Sequence, residues 1–303
     1  MSVWDDFVFL PARIKKMQAG AQFLLDTITQ ILNHGLIKVS NWEQDYWENI
    51  SRRLIDFQLP SIARKIRYIS EHITSEGQEN IVRFELRWLI LFANKMLDFS
   101  ALEKADQFEV WQYAGAQIKK ELVLTSPATR DEWQVKDIQY STEDRLQMRK
   151  IWFLGAHTKR WACMLDYTFG NAPFDKKYYL AKNYSIEMHF YPGTFNCRAI
   201  AGKHFSGLFP TDHVETSCDT IKKLLQSLIQ LLSLNPLLAE YPFTMHNTFI
   251  LYQENKIYLR DSQGMVLPIN PIDDMAIRLF ATLGARPGAF RILWQKDNWR
   301  LIN

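Results

Sequence analysis

Apolar residues recur at helical spacing through the first third of the chain. Ile62, Ile66, Ile69 and Ile73 are separated by steps of four, three and four, so they share one face of a helix. Gly35 is typical of a helix end, and Pro60 suits the first turn of a helix. The spacing predicts five helices joined by short turns. They cover residues 16–35, a segment capped by Asn41 that ends before Pro60, a segment opening at Pro60, and residues 78–97 and 106–119.

From residue 132 the pattern changes to the alternation that is typical of strands. In one such segment Leu146, Met148 and Trp152 would point to one face, and Arg149 and Ile151 to the other. One helix interrupts the strands at residues 217–234. The predicted strands cover residues 132–140, 145–154, 160–167, 184–191, 198–205, 249–252 and 256–260, and a last hairpin covers 291–301 with its turn at 296–298.

The two patterns meet in a polar stretch around Pro127, which is typical of a domain boundary. The sequence therefore predicts an α+β fold class, with an N-terminal all-helical bundle followed by a mostly antiparallel β-rich domain with one or two helices. The predicted domains are residues 1–125 and 126–303, and a chain of 303 residues fits two domains of ordinary size.

Composition narrows the class of protein. Hydrophobic residues make up 47% and charged residues 23% of the chain, which is typical of a globular rather than a disordered protein. The formal net charge of +3 is too small to attract nucleic acid or membranes over a long range. No segment approaches the roughly 20 apolar residues of a membrane helix, and the acidic start is unlike a secretory signal. We expect a cytoplasmic protein that does not bind membranes.

Histidine and cysteine residues cluster in the second half of the chain and raise the question of a metal site. Structural zinc sites usually bring their ligands in close pairs such as C-x2-4-C or H-x3-5-H, and no such pair occurs here. Together with Cys163 the chain has three cysteines, which favours a reducing compartment over a disulfide framework. We therefore expect no metal and no cofactor. The clustered residues are His189, Cys197, His204, His213 and Cys218.

Glu187, His189 and Asp166 are weak candidates for catalysis. Glu187 and His189 lie two residues apart on a predicted strand, so both side chains project from one face, and Asp166 lies near the end of another predicted strand. A carboxylate beside an imidazole could act in general acid–base catalysis. A solvated sheet face explains the pair better, because no nucleophile motif or glycine-rich phosphate loop accompanies it. The sequence favours a non-enzymatic role and leaves catalysis open.

Two groups of basic residues could form a binding surface. The first lies on the second and third helices, away from the isoleucine face, and the second surrounds a predicted turn of the β-rich domain. Such cations would suit a nucleic-acid backbone or an acidic protein partner, and an ordinary solvated face is the alternative. The first group comprises Arg52, Arg53, Arg64, Lys65 and Arg67, and the second Arg145, Arg149 and Arg160.

Several segments taken in order resemble the long region that follows the zinc finger in bacterial SWIM zinc-finger proteins. They include RLIDFQLP at residues 53–60, IWFLG at 151–155 and LRDSQG at 259–264, and the resemblance covers most of residues 16–303. The finger itself, of the form C-x-C-x(n)-C-x-H, has no counterpart, so zinc binding cannot be carried over. The other matching segments are residues 21–26, 35–36, 46–48, 63–67, 131–133, 144–146, 160–162, 165–167, 190–193, 198–199, 235–236, 267–268 and Trp294.

The resemblance implies a companion region of a zinc finger that works with other proteins. On this basis we expect a non-enzymatic interaction or adaptor module in a multiprotein assembly, whose partner is another protein carrying a SWIM zinc finger or an ATPase. Nucleic-acid binding through the basic helices is the alternative, and an enzyme of unknown class is the least favoured reading.

Overall fold

The computed structural model describes residues 3–74, 78–143, 145–204, 217–254, 256–270, 281, 286–296 and 298–302. The predicted fold class is confirmed: a helical bundle comes first, and antiparallel sheets with further helices follow. The chain forms two compact units, and the predicted division into domains at residue 125 stays a prediction. The helical unit comprises Met1–Lys119, Pro192–Thr194 and Asn235–Leu237, and the β-rich unit comprises Lys120–Tyr191, Phe195–Leu234 and Leu238–Asn303.

The helical unit follows the predicted order of helices, with one short addition. The first helix ends where predicted, because Gly35 adopts φ 80° and its N–H bonds to the carbonyls of Ile31 and Leu32. The predicted cap at Asn41 is wrong, since the helix it was to open begins after Glu43 without a side-chain cap. The helices are α1 (Pro11–His34), the added α2 (Leu36–Val39), α3 (Gln44–Asp56), α4 (Pro60–Ile73), α5 (Glu79–Leu97) and α6 (Lys104–Tyr113).

The predicted isoleucine face of α4 is buried at Ile62, Ile66 and Ile69, and Ile73 at its end is half-buried. The helix predicted at residues 106–119 is shorter, because Gly115 adopts φ 88° just past the end of α6 and the N–H of Ala116 bonds back to the carbonyl of Trp111. The carbonyl of Ala114 accepts a hydrogen bond from the N–H of Ser61 at the start of α4.

The β-rich unit contains two sheets and two helices within the described residues. A five-stranded sheet has the order β3-β2-β1-β4-β5, and the second sheet has the order β11-β10-β7-β8-β9 with β6 beside β7. The strands are β1 (Ala128–Glu143), β2 (Leu146–Gly155), β3 (Trp161–Phe169), β4 (Asn183–Phe190), β5 (Ala199–His204), β6 (Ser217–Cys218), β7 (Glu240–Gln253), β8 (Lys256–Arg260), β9 (Val266–Ile269), β10 (Gly288–Gln295) and β11 (Asn298–Ile302), and the helices are α7 (Lys120–Val123) and α8 (Ile221–Leu234).

The five-stranded sheet closes on itself. The first half of β1 pairs with β4, and the second half of β1 pairs with β2. A bulge between Val135 and Asp137 lets this strand bend. At the far edges Cys163 of β3 meets Arg198 in a parallel bridge, and the Cys163 N–H donates to the carbonyl of Cys197 at 2.6 Å. This strand order, with one parallel contact closing an antiparallel sheet, is the five-stranded Greek-key arrangement of the OB-fold.

Each face of the closed sheet contributes to an apolar core. Its inner face buries a core that includes Trp133, Ile151 and Phe153. Its outer face buries Trp152 and Trp161 against the second sheet, and charged pairs flank this contact. Lys150 lies 2.8 Å from Glu240, and Arg300 binds Asp137. The alternation predicted along β2 is thus confirmed by the two separate cores.

The second sheet differs most from the prediction. The helix predicted at 217–234 begins only at Ile221, whose N–H binds Asp261 Oδ2 at 2.9 Å, and Ser217–Cys218 forms a strand instead. β7 is much longer than residues 249–252, and β9 was not predicted. Phe205 of the predicted strand 198–205 and Asp297 of the predicted turn 296–298 lie outside the described residues, as does Asn255, the centre of the turn expected between residues 252 and 256. None of the helices described here is both long and apolar enough to cross a membrane.

Candidate binding sites

The basic group on α3 and α4 is interrupted by carboxylates. Arg67 donates two hydrogen bonds to Glu48, at 2.9 and 2.8 Å, and Arg52 lies 3.8 Å from the same carboxylate. The bond from Arg67 holds the pKa of Glu48 below its usual value despite opposing desolvation. Glu48 therefore neutralises part of the surface.

The three remaining cations of this group have different surroundings. Lys65 lies 3.5 Å from the buried carboxylate of Glu85. Arg53 covers the ring of Phe23 at 3.8 Å, and Arg64 donates to Ser61 Oγ at 3.1 Å. Arg52 and Arg67 share Glu48, whereas Lys65, Arg53 and Arg64 contact three different helices, so the contacts do not define one continuous basic surface.

The second basic group is dispersed over the closed sheet. Arg149 is only 4% exposed on the inner face, where it pairs with Asp166 at 2.6 Å. Arg160 covers the ring of Phe190 at 3.4 Å, and burial lowers its pKa. Arg145 is exposed and covers the ring of Phe169 at 5.0 Å. The structure does not bring these three residues together.

The catalytic candidates have separate partners. Arg130 donates to Glu187 at 2.9 Å, the buried His189 ring contacts the carbonyl of Ser126 at 2.8 Å, and Asp166 pairs with Arg149. Glu187 and His189 share a face of β4, as predicted, while Asp166 lies on β3, which is not hydrogen-bonded to β4.

The histidine and cysteine residues are also apart. Cys197 precedes β5, His204 ends it, and Cys218 is buried on β6. Across the described parts of the chain, no group of three histidine, cysteine or acidic residues is placed to hold a metal ion. His213 lies outside those parts.

A cavity of about 350 Å³ lies between β3 and β5, next to the bridge that closes the sheet. We call it the closure cavity. Its polar lining comes from Lys120, Asp166, Asp175, Lys176 and Arg198, and its aromatic lining from Tyr167, Phe174, Tyr178 and Tyr191.

The chemistry of the closure cavity favours a ligand that combines negative charge with a flat ring. Arg198 lies 4.2 Å above the ring of Tyr191, and the Asp166 carboxylate is already paired with Arg149. Burial raises the pKa of Tyr178 to about 12, so its hydroxyl stays protonated at neutral pH. The volume lies within the range of small-molecule pockets, roughly 300–1,000 Å³.

Sequence reasoning missed this cavity and a buried polar cluster. The fully buried Asp131 accepts hydrogen bonds from the backbone N–H groups of His157 and Thr158, at 3.1 and 2.7 Å, and contacts the His157 ring at 3.0 Å. Burial would raise its pKa, but the bonds from Thr158 and His157 outweigh burial and hold the pKa below its usual value. The sequence predicted a turn at Gly155-Ala156-His157-Thr158. It gave no sign that Asp131 binds this turn, because Asp131 reaches it only through the pairing of β1 with β2.

Comparison with known proteins finds a family match within the helical unit. The family model described as the SWIM-associated four-helix bundle domain matches residues 12–114, from the start of α1 to just past α6. No curated protein and no solved structure matches the chain. The resemblance to the region associated with SWIM zinc fingers is therefore confirmed for residues 12–114.

Proposed function

We propose that this SWIM-associated module acts without catalysis, by binding another protein within a multiprotein assembly. The observation that carries the proposal is an exposed apolar end of the helical bundle. Leu32 on the last turn of α1 is 53% exposed, and Ile37 on α2 is 82% exposed. Exposed apolar groups that cluster on a soluble domain are typical of protein interaction sites.

Aromatic rings lie next to these residues in the chain and would support a contact. The ring of Trp42 lies 5.5 Å from that of His34 and 4.5 Å from that of Tyr46, both in edge-on geometry. Rigid aromatic side chains are enriched where interfaces bind most tightly, because they bury much area at little entropic cost. The separate partners of Glu187, His189 and Asp166 likewise support binding over catalysis.

The proposed partner is a cytoplasmic protein that carries a SWIM zinc finger, or an ATPase of the same assembly, as the family resemblance implies. Nucleic-acid binding through the basic helices has less support, because Glu48 and Glu85 pair with Arg67 and Lys65 on that surface.

Titration calorimetry with purified candidate partners from the same cell tests the proposal. Leu32→Glu and Ile37→Glu should each weaken binding by roughly tenfold or more, since residues that dominate interfaces cost upwards of 1 kcal/mol when truncated. Ile229→Glu is the matched control, because Ile229 is 66% exposed on α8 of the other unit. Unchanged binding by the two bundle variants would reject this surface, and the absence of binding by the native chain to either class of partner would reject the proposed function.

A further inference from the structure

The closed sheet exposes two aromatic rings on its edge strand β3, next to basic residues. Tyr167 and Phe169, two residues apart on β3, share its outer face and are 52% and 62% exposed. Tyr167 also lines the closure cavity, so the exposed rings are continuous with it. In register with them on β2 lie Met148 and Leu146. We define Tyr167, Phe169, Arg145 and the closure cavity as the β3 surface.

From this arrangement we infer that the β3 surface binds single-stranded nucleic acid. Exposed rings along one strand offer stacking faces for successive bases, and stacking tolerates any base sequence. The outer face of the second and third strands is also the ligand-binding face of five-stranded sheets with this strand order. That likeness of fold only raises the expectation, and the side chains have to supply the binding.

Charge on the β3 surface favours a phosphate backbone. Lys120, Lys176 and Arg198 line the cavity, and no carboxylate is paired with them among the described residues. Asp166 is compensated by Arg149, which leaves Asp175 as the uncompensated acid of the lining. The cavity is large enough to hold one nucleobase. A flexible single strand can place a base there, whereas a duplex would first have to break a base pair.

Outside the cavity, a second acidic residue also opposes a phosphate backbone. Glu143, exposed at the end of β1, lies opposite Leu146 across the β1–β2 turn and close to Arg145 in the chain. Its removal should strengthen the binding of an anion. Glu143→Gln is therefore a gain-of-binding variant that a general loss of structure could not imitate.

Fluorescence anisotropy with a labelled mixed-sequence strand of about 20 nucleotides, and with its duplex, tests the inference. The intact chain should bind the single strand more tightly than the duplex. Three phosphate contacts give a salt slope near −2, so affinity should fall roughly 20-fold between about 50 mM and about 200 mM salt. Tyr167→Ala with Phe169→Ala should weaken binding at least roughly tenfold, and Lys120→Glu with Lys176→Glu should also reduce the salt slope by about 1.4.

Matched controls separate this surface from the alternatives. Tyr252→Ala removes an exposed ring from the second sheet, and Arg52→Glu with Arg64→Glu makes the same charge change on the helices, so neither should alter the affinity. Circular dichroism establishes that each variant is folded. Equal affinity for the duplex, loss of binding in the helix variants, or no binding of the single strand at low salt would each overturn the inference. So would a loss of protein-partner affinity in the Tyr167 and Phe169 variant without a change for nucleic acid. The inference is independent of the proposed protein contact, whose test uses Leu32 and Ile37.

Discussion

Replacing Asp131 with asparagine should release the turn between β2 and β3 and destabilise the β-rich unit. The carboxylate is fully buried and accepts hydrogen bonds from Glu132, next to it on β1, and from His157 and Thr158 in the β2–β3 turn. Glu132 N–H donates at 2.7 Å, and Thr158 donates through both its N–H and its hydroxyl. Asparagine has the same shape but turns one acceptor into an NH₂ group that faces these donors.

The expected loss is about 3 kcal/mol. A hydrogen bond to a charged group contributes roughly 1.5–3 kcal/mol, and the amide forfeits the two bonds from Thr158 while keeping the others in weaker, neutral form. Gly155→Ala should disturb the same cluster from the other side, because a Cβ at that position would collide with the Asp131 carboxylate and the Thr158 hydroxyl. Urea unfolding gives the free energy, and hydrogen exchange at residues 155–160 localises the effect.

The pH dependence supplies a second check. Since the folded pKa of Asp131 lies below its unfolded value, its contribution is present above an unfolded pKa of about 4 and is lost as the pH falls through the folded value. The difference between the native chain and Asp131→Asn should therefore narrow below about pH 4. Asp175→Asn, at an exposed site, should change little. A loss below about 1 kcal/mol at neutral pH, or a difference that does not depend on pH, would refute the reasoning.

Two further changes test buried carboxylates and cations. Burial raises the pKa of Glu109 to about 7, although hydrogen bonds with Asn235 and Thr194 oppose the shift. The native chain should therefore lose stability as the pH rises from about 4.5 through 7. Glu109→Gln should gain roughly 2–3 kcal/mol at pH 8 and little at pH 5 in urea unfolding. Arg149→Met should lower the free energy of unfolding by about 1–3 kcal/mol, because it leaves Asp166 without its cation. The double variant Arg149→Met with Asp166→Leu should recover most of that loss. Additive losses of the two substitutions in a thermal-unfolding cycle would contradict a coupled pair.

The pattern of hydrophobic residues was sufficient to predict burial wherever burial follows the periodicity of a single helix or strand. The isoleucine face of α4 and the alternation of β2 depend only on neighbours in the chain, and both could be predicted. The same alternation placed Arg149 on one face with Ile151, and because Ile151 is in the core, Arg149 is interior as well. The prediction that Arg149 belongs to a basic binding surface was therefore inconsistent with its position on the same face as Ile151.

Contacts between distant segments set the features that the sequence did not reveal. The start of α8 depends on Asp261, which lies 40 residues further along the chain. The closure cavity exists because Cys163 meets Arg198, and no period in either segment indicates that meeting. Tyr167 ended the predicted strand 160–167 and Phe169 lay beyond it, so the sequence did not indicate that both rings stand exposed on β3.

The charged pairs between the two sheets restrict where the chain can be shortened. Arg300, three residues from the end of the sequence, binds Asp137 on the longest strand of the closed sheet, and Gln295 donates to Glu240, the partner of Lys150. Removing the last hairpin would leave Asp137 buried without its cation and would uncover Trp152. A stop codon or protease cut near residue 290 should therefore act as a loss of the whole β-rich unit, even though it removes only two strands.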